Sequence, residues 1–195
     1  MRLLALIGAL AIAGAIVAAG FFFGGFFDIA ATTQDPPALA SAIVRVRNAA
    51  IQRHATDKAP ANFGDASRVQ AGAKIFARAG CVNCHGAPGV KWAKFSEGLN
   101  PDPPDLKEVA AELDPPELFW IVKNGIRMTG MPSFGAIGVG DDDIWSIAAF
   151  VKKIAGVSED DYKTWTTPPA ETAPAAVAPS PPAPAQPADQ SAPKP

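Results

Sequence analysis

Side chains that bind metals or carry redox chemistry are scarce in this sequence: two cysteines, two histidines and three methionines among 195 residues. A structural zinc site normally takes four ligands. The one available cluster, Cys81, Cys84 and His85, supplies three at most, so His54 would have to complete it. The adjacent Cys84–His85 pair is also poorly placed to chelate a single ion. An excess of basic charge is missing as well. The net charge of −2, with no basic stripe carrying interleaved aromatics, argues against nucleic-acid binding. Between Arg2 and Asp28 there is no charge of either sign, and from Pro36 to Lys58 one acid, Asp57, stands against Arg45, Arg47, Arg53 and Lys58.

The uncharged stretch, residues 3–27, is almost wholly apolar. A membrane-spanning helix needs about 20 such residues, whereas the apolar core of a cleavable signal peptide runs to about 15. Cleavage near Ala13–Ala15 would leave AIVAAGFFFGGFF exposed to water, so an uncleaved signal-anchor is the better reading. The charges do not orient it, because Arg45, Arg47 and Arg53 lie at or beyond the reach of the positive-inside rule. At the other end, PPAETAPAAVAPSPPAPAQPADQSAPKP is nearly all Pro, Ala and small polar residues and reads as a disordered spacer. Four segments follow: an anchor over 1–27, a partly helical neck over 28–62, a folded domain over 63–166 and a Pro/Ala-rich tail over 167–195. The neck, ALASAIVRVRNAAIQRHA, has two readings: an amphipathic helix at the lipid headgroups, or a helix packed on the domain or on a partner.

Both cysteines and one histidine fall in CVNCHG, residues 81–86. A thioredoxin-like dithiol wants a βαβ setting with strand-rich flanks. The flanks here are helical and rich in Gly and Pro. Covalent haem suits the spacing better. Two thiols three positions apart match the two vinyl groups on one edge of the porphyrin, and the next residue, His85, reaches the iron. An electron carrier fills the opposite iron position with Met or His. Met1 is in the wrong compartment, and His54 lies on the polar neck. Met128 sits near the preceding helix and is expected to pack beside the haem. Met131, held between Gly130 and Pro132 in an extended loop, is the candidate ligand.

Three helices can be placed around this motif. The first runs from about Ala66 to Ala79, with Asp65 as N-cap, Gly80 as its stop, and Val69, Gly72, Ala73 and Phe76 on one face. Gly72 there implies a close helix–helix approach. The second opens with Asp114 as cap, Pro115 at N1 and Glu117 closing a capping box, and stops at Gly125. The third starts at Asp141–Asp143, whose role is capping and solvation, and ends at Gly156. Residues 86–114 are too broken by Pro and Gly for long regular structure and should wrap the haem.

In CVNCHGAPG, NPDPPDL, ELFWIVKNGIRMTGMPSFG and DDDIWSIAAFVKKI, the chain resembles the class I c-type cytochromes over about residues 64–157. With its anchor it is similar to their membrane-anchored monohaem members in bacteria. The resemblance implies an all-α fold of about three to five helices wrapped around one covalent haem c. Cys81 and Cys84 would form thioethers, His85 would be the proximal ligand and Met131 the distal one. Pro88 would offer the carbonyl that accepts the His85 Nδ1–H, and the Gly72/Phe76 face would cross the C-terminal helix near Phe150. The expected function is non-enzymatic: single-electron transfer between respiratory or dehydrogenase partner proteins, with no small-molecule substrate. Two rivals are a haem subunit of a larger oxidoreductase complex and a haem enzyme or sensor with a displaceable Met. Because haem is attached outside the cytoplasm, the anchor is expected in the inner membrane, single-pass, with the haem domain in the periplasm.

Overall fold

The computed structural model describes residues 1–167, so the expected disordered tail lies outside the described residues from position 168 onward. Eight α-helices follow in chain order: α1 (Arg2–Phe23), α2 (Pro37–His54), α3 (Ala66–Arg78), α4 (Val82–His85), α5 (Leu106–Val109), α6 (Pro115–Asn124), α7 (Asp141–Lys153) and α8 (Glu159–Thr166). Short 3₁₀ turns lie at Lys94–Gly98 and Ile154–Gly156. Among the described residues no strand forms beyond an isolated bridge between Ala87 and Val90. The all-α expectation holds, and the three helices read from the sequence appear within three residues of their expected ends, α7 passing into the 3₁₀ turn that reaches Gly156.

The core forms where α3 crosses α7. A Cβ placed on Gly72 would sit 1.9 Å from the Ser146 carbonyl oxygen and 2.9 Å from the Phe150 Cβ, so only glycine permits this approach. One turn further along α3, Phe76 meets Phe150 edge-on with centroids 5.2 Å apart. At the start of the crossing Arg68 donates to the Asp142 carboxylate at 2.8 Å and to its carbonyl at 3.1 Å. Helix α6 packs on the same α7 through Phe119, stacked on Trp145 with centroids 4.1 Å apart. Asp114 and Glu117 close the capping box at its start. Asp65 occupies the N-cap of α3, but its side chain makes no capping hydrogen bond.

One side chain ties the wrapping segment to this frame. Lys152, near the end of α7, donates to the carbonyls of Ala110 (3.3 Å), Ala111 (3.0 Å) and Leu113 (2.6 Å). These carbonyls follow α5, where no helix continues to pair them, so one ammonium satisfies three acceptors.

Helix α8 has no counterpart among the helices read from the sequence. Ser158 caps it by accepting from the Asp161 N–H, and Glu159–Asp161 fill its first turn. Its buried Tyr162 stacks on Phe150 at 5.7 Å, extending the core past Gly156. At the other end, the neck is helical over α2, and of its residues only Ile51 is buried. Ile51 packs into the domain, and His54 stacks on Trp120 of α6 with centroids 6.1 Å apart. Helix α1 is 22 residues long, apolar, and buried nowhere against the rest of the chain.

Two substitutions test this frame. Gly72→Ala should lower unfolding free energy by roughly 3 kcal/mol, although alanine gains about 1 kcal/mol in helix propensity. Denaturant titration reads the difference, and an unchanged midpoint would contradict the crossing. Lys152→Met keeps the length and the packing but orphans the three carbonyls. It should cost about 2 kcal/mol by the same measurement.

Candidate haem site

The segment CVNCH folds as a single helical turn. Cys81 stands at the N-cap of α4, and its carbonyl accepts from the N–H groups of Cys84 (3.2 Å) and His85 (3.0 Å). Residues three apart share a side of a helix, so this turn directs both thiols the same way and sends His85 off beside them. Gly86, at φ +63°, ends the turn and admits the Val90 carbonyl, which would lie 2.9 Å from a Cβ there.

Burial pushes the Cys81 thiol up to about 12, whereas a reactive redox dithiol carries a thiol shifted the other way. Among the described residues no group of three or more His, Cys, Asp and Glu side chains could hold a metal ion. His54, the remaining zinc candidate, is stacked on Trp120. Burial also holds the His85 imidazole below its ordinary value, against the smaller opposing pull of a hydrogen bond to Pro104. That bond runs from Nδ1 to the Pro104 carbonyl oxygen at 3.0 Å. A carbonyl only accepts, so Nδ1 carries the proton and Nε2 keeps its lone pair free for a metal.

The accepting carbonyl differs from expectation. Pro88, assigned that role by resemblance, is buried in the turn where Ala87 and Val90 pair with each other. The chain then travels through Asn100–Asp105 before a carbonyl returns to His85. The consecutive prolines of NPDPPDL hold an extended backbone with a free carbonyl, but nothing local to them aims it at His85. An open cleft runs between the two segments, lined by Cys84, Trp92, Ser96, Asp102, Pro103 and Pro104.

The methionine loop is set by two glycines. Gly125 ends α6 at φ +68°, and a Cβ there would lie 2.6 Å from the Pro132 carbonyl carbon and 2.7 Å from the Met131 carbonyl oxygen. The loop therefore folds back directly against the end of α6. Ile126 N–H donates to the Met131 carbonyl at 3.2 Å and Ser133 Oγ to the Lys123 carbonyl at 2.7 Å. Gly130 receives the tip of Leu99, whose Cδ1 would be 2.9 Å from a Cβ at that position. The two methionines diverge here. Met131 packs against the core cluster that also contains Cys81, whereas Met128 is 90 % exposed, at φ +60°. From the sequence Gly125 is only a helix stop; its contact with the Met131 backbone emerges with the fold.

Residues 67–151 match the family profile described as cytochrome c oxidase, cbb3-type, subunit III. The match supports a class I c-type cytochrome domain over those residues. Comparison with curated proteins and with solved structures returned no match. The cofactor of such a cytochrome is covalently bound haem c, its work is electron transfer, and its partners are redox proteins. The site fits that group. It has paired thiols on one side of a helical turn, an imidazole with a free Nε2, and a cleft beside Cys84 in which Trp92 offers an exposed apolar face. The apolar α1 is consistent with a single-pass membrane anchor on this cytochrome.

If Gly125 sets the methionine loop, Gly125→Ala combines a left-handed φ with backbone overlap. It should destabilise the cytochrome by about 3 kcal/mol in a guanidinium titration. Wild-type stability in this variant would show that the loop is held elsewhere.

Proposed function

We propose that Cys81 and Cys84 hold the haem through thioethers, that His85 Nε2 is the proximal iron ligand, and that the Met131 thioether is the distal one. The haem supplies reversible one-electron exchange between Fe(II) and Fe(III). The residues around it do the rest. Pro104 fixes the tautomer and the ring orientation of His85 through Nδ1. Gly125 and Leu99 hold the Met131 loop in place. With His85 and Met131 both holding the iron, small ligands would be excluded and rearrangement between the redox states limited, and such His/Met ligation would favour a comparatively high potential. The single observation that carries this reading is the Nδ1–Pro104 bond, since it leaves Nε2 as the one free nitrogen of the motif.

In this reading the chain is anchored by α1 with its N-terminus in the cytoplasm and its haem domain in the periplasm, within the segments 1–27, 28–62, 63–166 and 167–195. It passes single electrons between respiratory or dehydrogenase partners. A second reading, a haem subunit of a larger oxidoreductase, draws support from the family profile, which is itself described as an oxidase subunit. Co-purification from mild detergent distinguishes the two. The sensor alternative is the weakest, because the loop around Met131 offers only Thr129 and Ser133 as polar neighbours, and both hydroxyls donate to backbone carbonyls.

Absorption spectra of wild type and Met131→Ala test the ligand set. The wild type should be low-spin in both oxidation states, with a sulfur-to-iron charge-transfer band when oxidised and no reaction with carbon monoxide when reduced. Met131→Ala should lose the band and bind carbon monoxide. A band that survives the substitution would falsify the Met131 assignment.

A further inference from the structure

Helix α2 carries charge and apolar surface that the haem site does not use. Its 18 residues include Arg45, Arg47 and Arg53 and no acid, whereas residues 59–165 hold 11 basic against 14 acidic side chains, a net of −3. Leu39, Ile43 and Val46 are 40 %, 52 % and 70 % exposed. Spacings of four and three residues align them along one side of the helix, and Ala50 continues the line. At about 100° per residue, Ile51 points roughly 120° away from Leu39. Ile51 can therefore seat in the domain while the stripe stays open. By the same geometry Arg47 and Arg53 fall on opposite flanks of the stripe, both exposed. The chain from the end of α1 to the start of α2, residues 24–36, can extend to roughly 45 Å at most, so α2 is tethered close to wherever α1 is embedded.

We propose that the Leu39–Ile43–Val46 face of α2 lies on the anionic headgroup surface of the membrane that α1 crosses, with Arg47 and Arg53 reaching the phosphates on either side. The inference rests on α1 being a membrane anchor. An interfacial helix combines a buried apolar stripe with flanking cations that anionic lipid attracts, and α2 is the one described segment next to the anchor with both. The net-negative domain would be repelled by the same surface, so the cations of α2 decide which side of the molecule faces the bilayer. Because α2 is joined to α6 through Ile51 and the His54–Trp120 stack, this contact sets the tilt of the haem domain as well as its distance from the membrane. The haem site is then presented to partners at a fixed angle.

The test uses the full-length, reduced holoprotein with Val46→Cys carrying a nitroxide spin label, since the two native cysteines are consumed in thioethers. The protein is reconstituted into vesicles of phosphatidylcholine alone, or with phosphatidylglycerol added to give an anionic surface. In the anionic vesicles the label should be more accessible to oxygen than to a water-soluble nickel complex. The order should reverse in phosphatidylcholine alone, in high salt, and in Arg47→Gln/Arg53→Gln. A label that stays accessible to nickel in anionic vesicles, in protein that resists a high-salt wash, would overturn the inference and leave the anchor intact. A label immobilised without gain in oxygen access would also overturn it, pointing to a protein covering. Release of the whole chain by the wash would overturn the anchor, and the inference with it.

Discussion

Gly72 and the Ser146 carbonyl lie so close that no side chain fits between α3 and α7, and the remainder of the haem domain is arranged around that contact. It brings Phe76 against Phe150 and lets Arg68 reach the first turn of α7. It also fixes where α3 ends, and hence where α4 presents its two thiols. From the other side of α7 come α6, by way of Phe119 on Trp145, and the methionine loop that α6 leads into. The two segments proposed to hold the haem are thus attached to one pair of packed helices. A domain of this size buries little apolar surface, and the covalently held macrocycle supplies what its own side chains lack.

The elements legible from the sequence are those whose signals are local. Asp114, Pro115 and Glu117 specify a helix start within four residues, and Gly125 specifies its end. CVNCH contains two thiols and an imidazole at the spacing that one helical turn requires, so its chemistry could be read without any tertiary knowledge. Gly72 pointed to a close approach because glycine inside a helix is otherwise unfavourable.

What was not legible depends on chain returning from a distance. The carbonyl that accepts from His85 belongs to Pro104, not Pro88, because the loop after the motif turns away through Ala87–Val90 before it comes back. No local pattern encodes that path. Neither the role of Gly125 in seating Met131 nor the span of Lys152 across three carbonyls could be inferred without the fold. Helix α8 is a different case: Ser158 with Asp161 three residues later is a capping signal of the same kind as that of α6. The helical pattern of α7 ends at Gly156, and with 8 residues α8 is too short to show a periodicity of its own.

Electron transfer is the activity that the family profile supports for this chain. All of it rests on the thiols of Cys81 and Cys84 being joined to haem. Mass spectrometry of the protein, denatured in acidified organic solvent and then digested, measures that directly. The account predicts that the peptide spanning residues 81–85 carries one haem and no thiol available for alkylation. Haem extracted into the solvent, with both cysteines alkylated on that peptide, would contradict it.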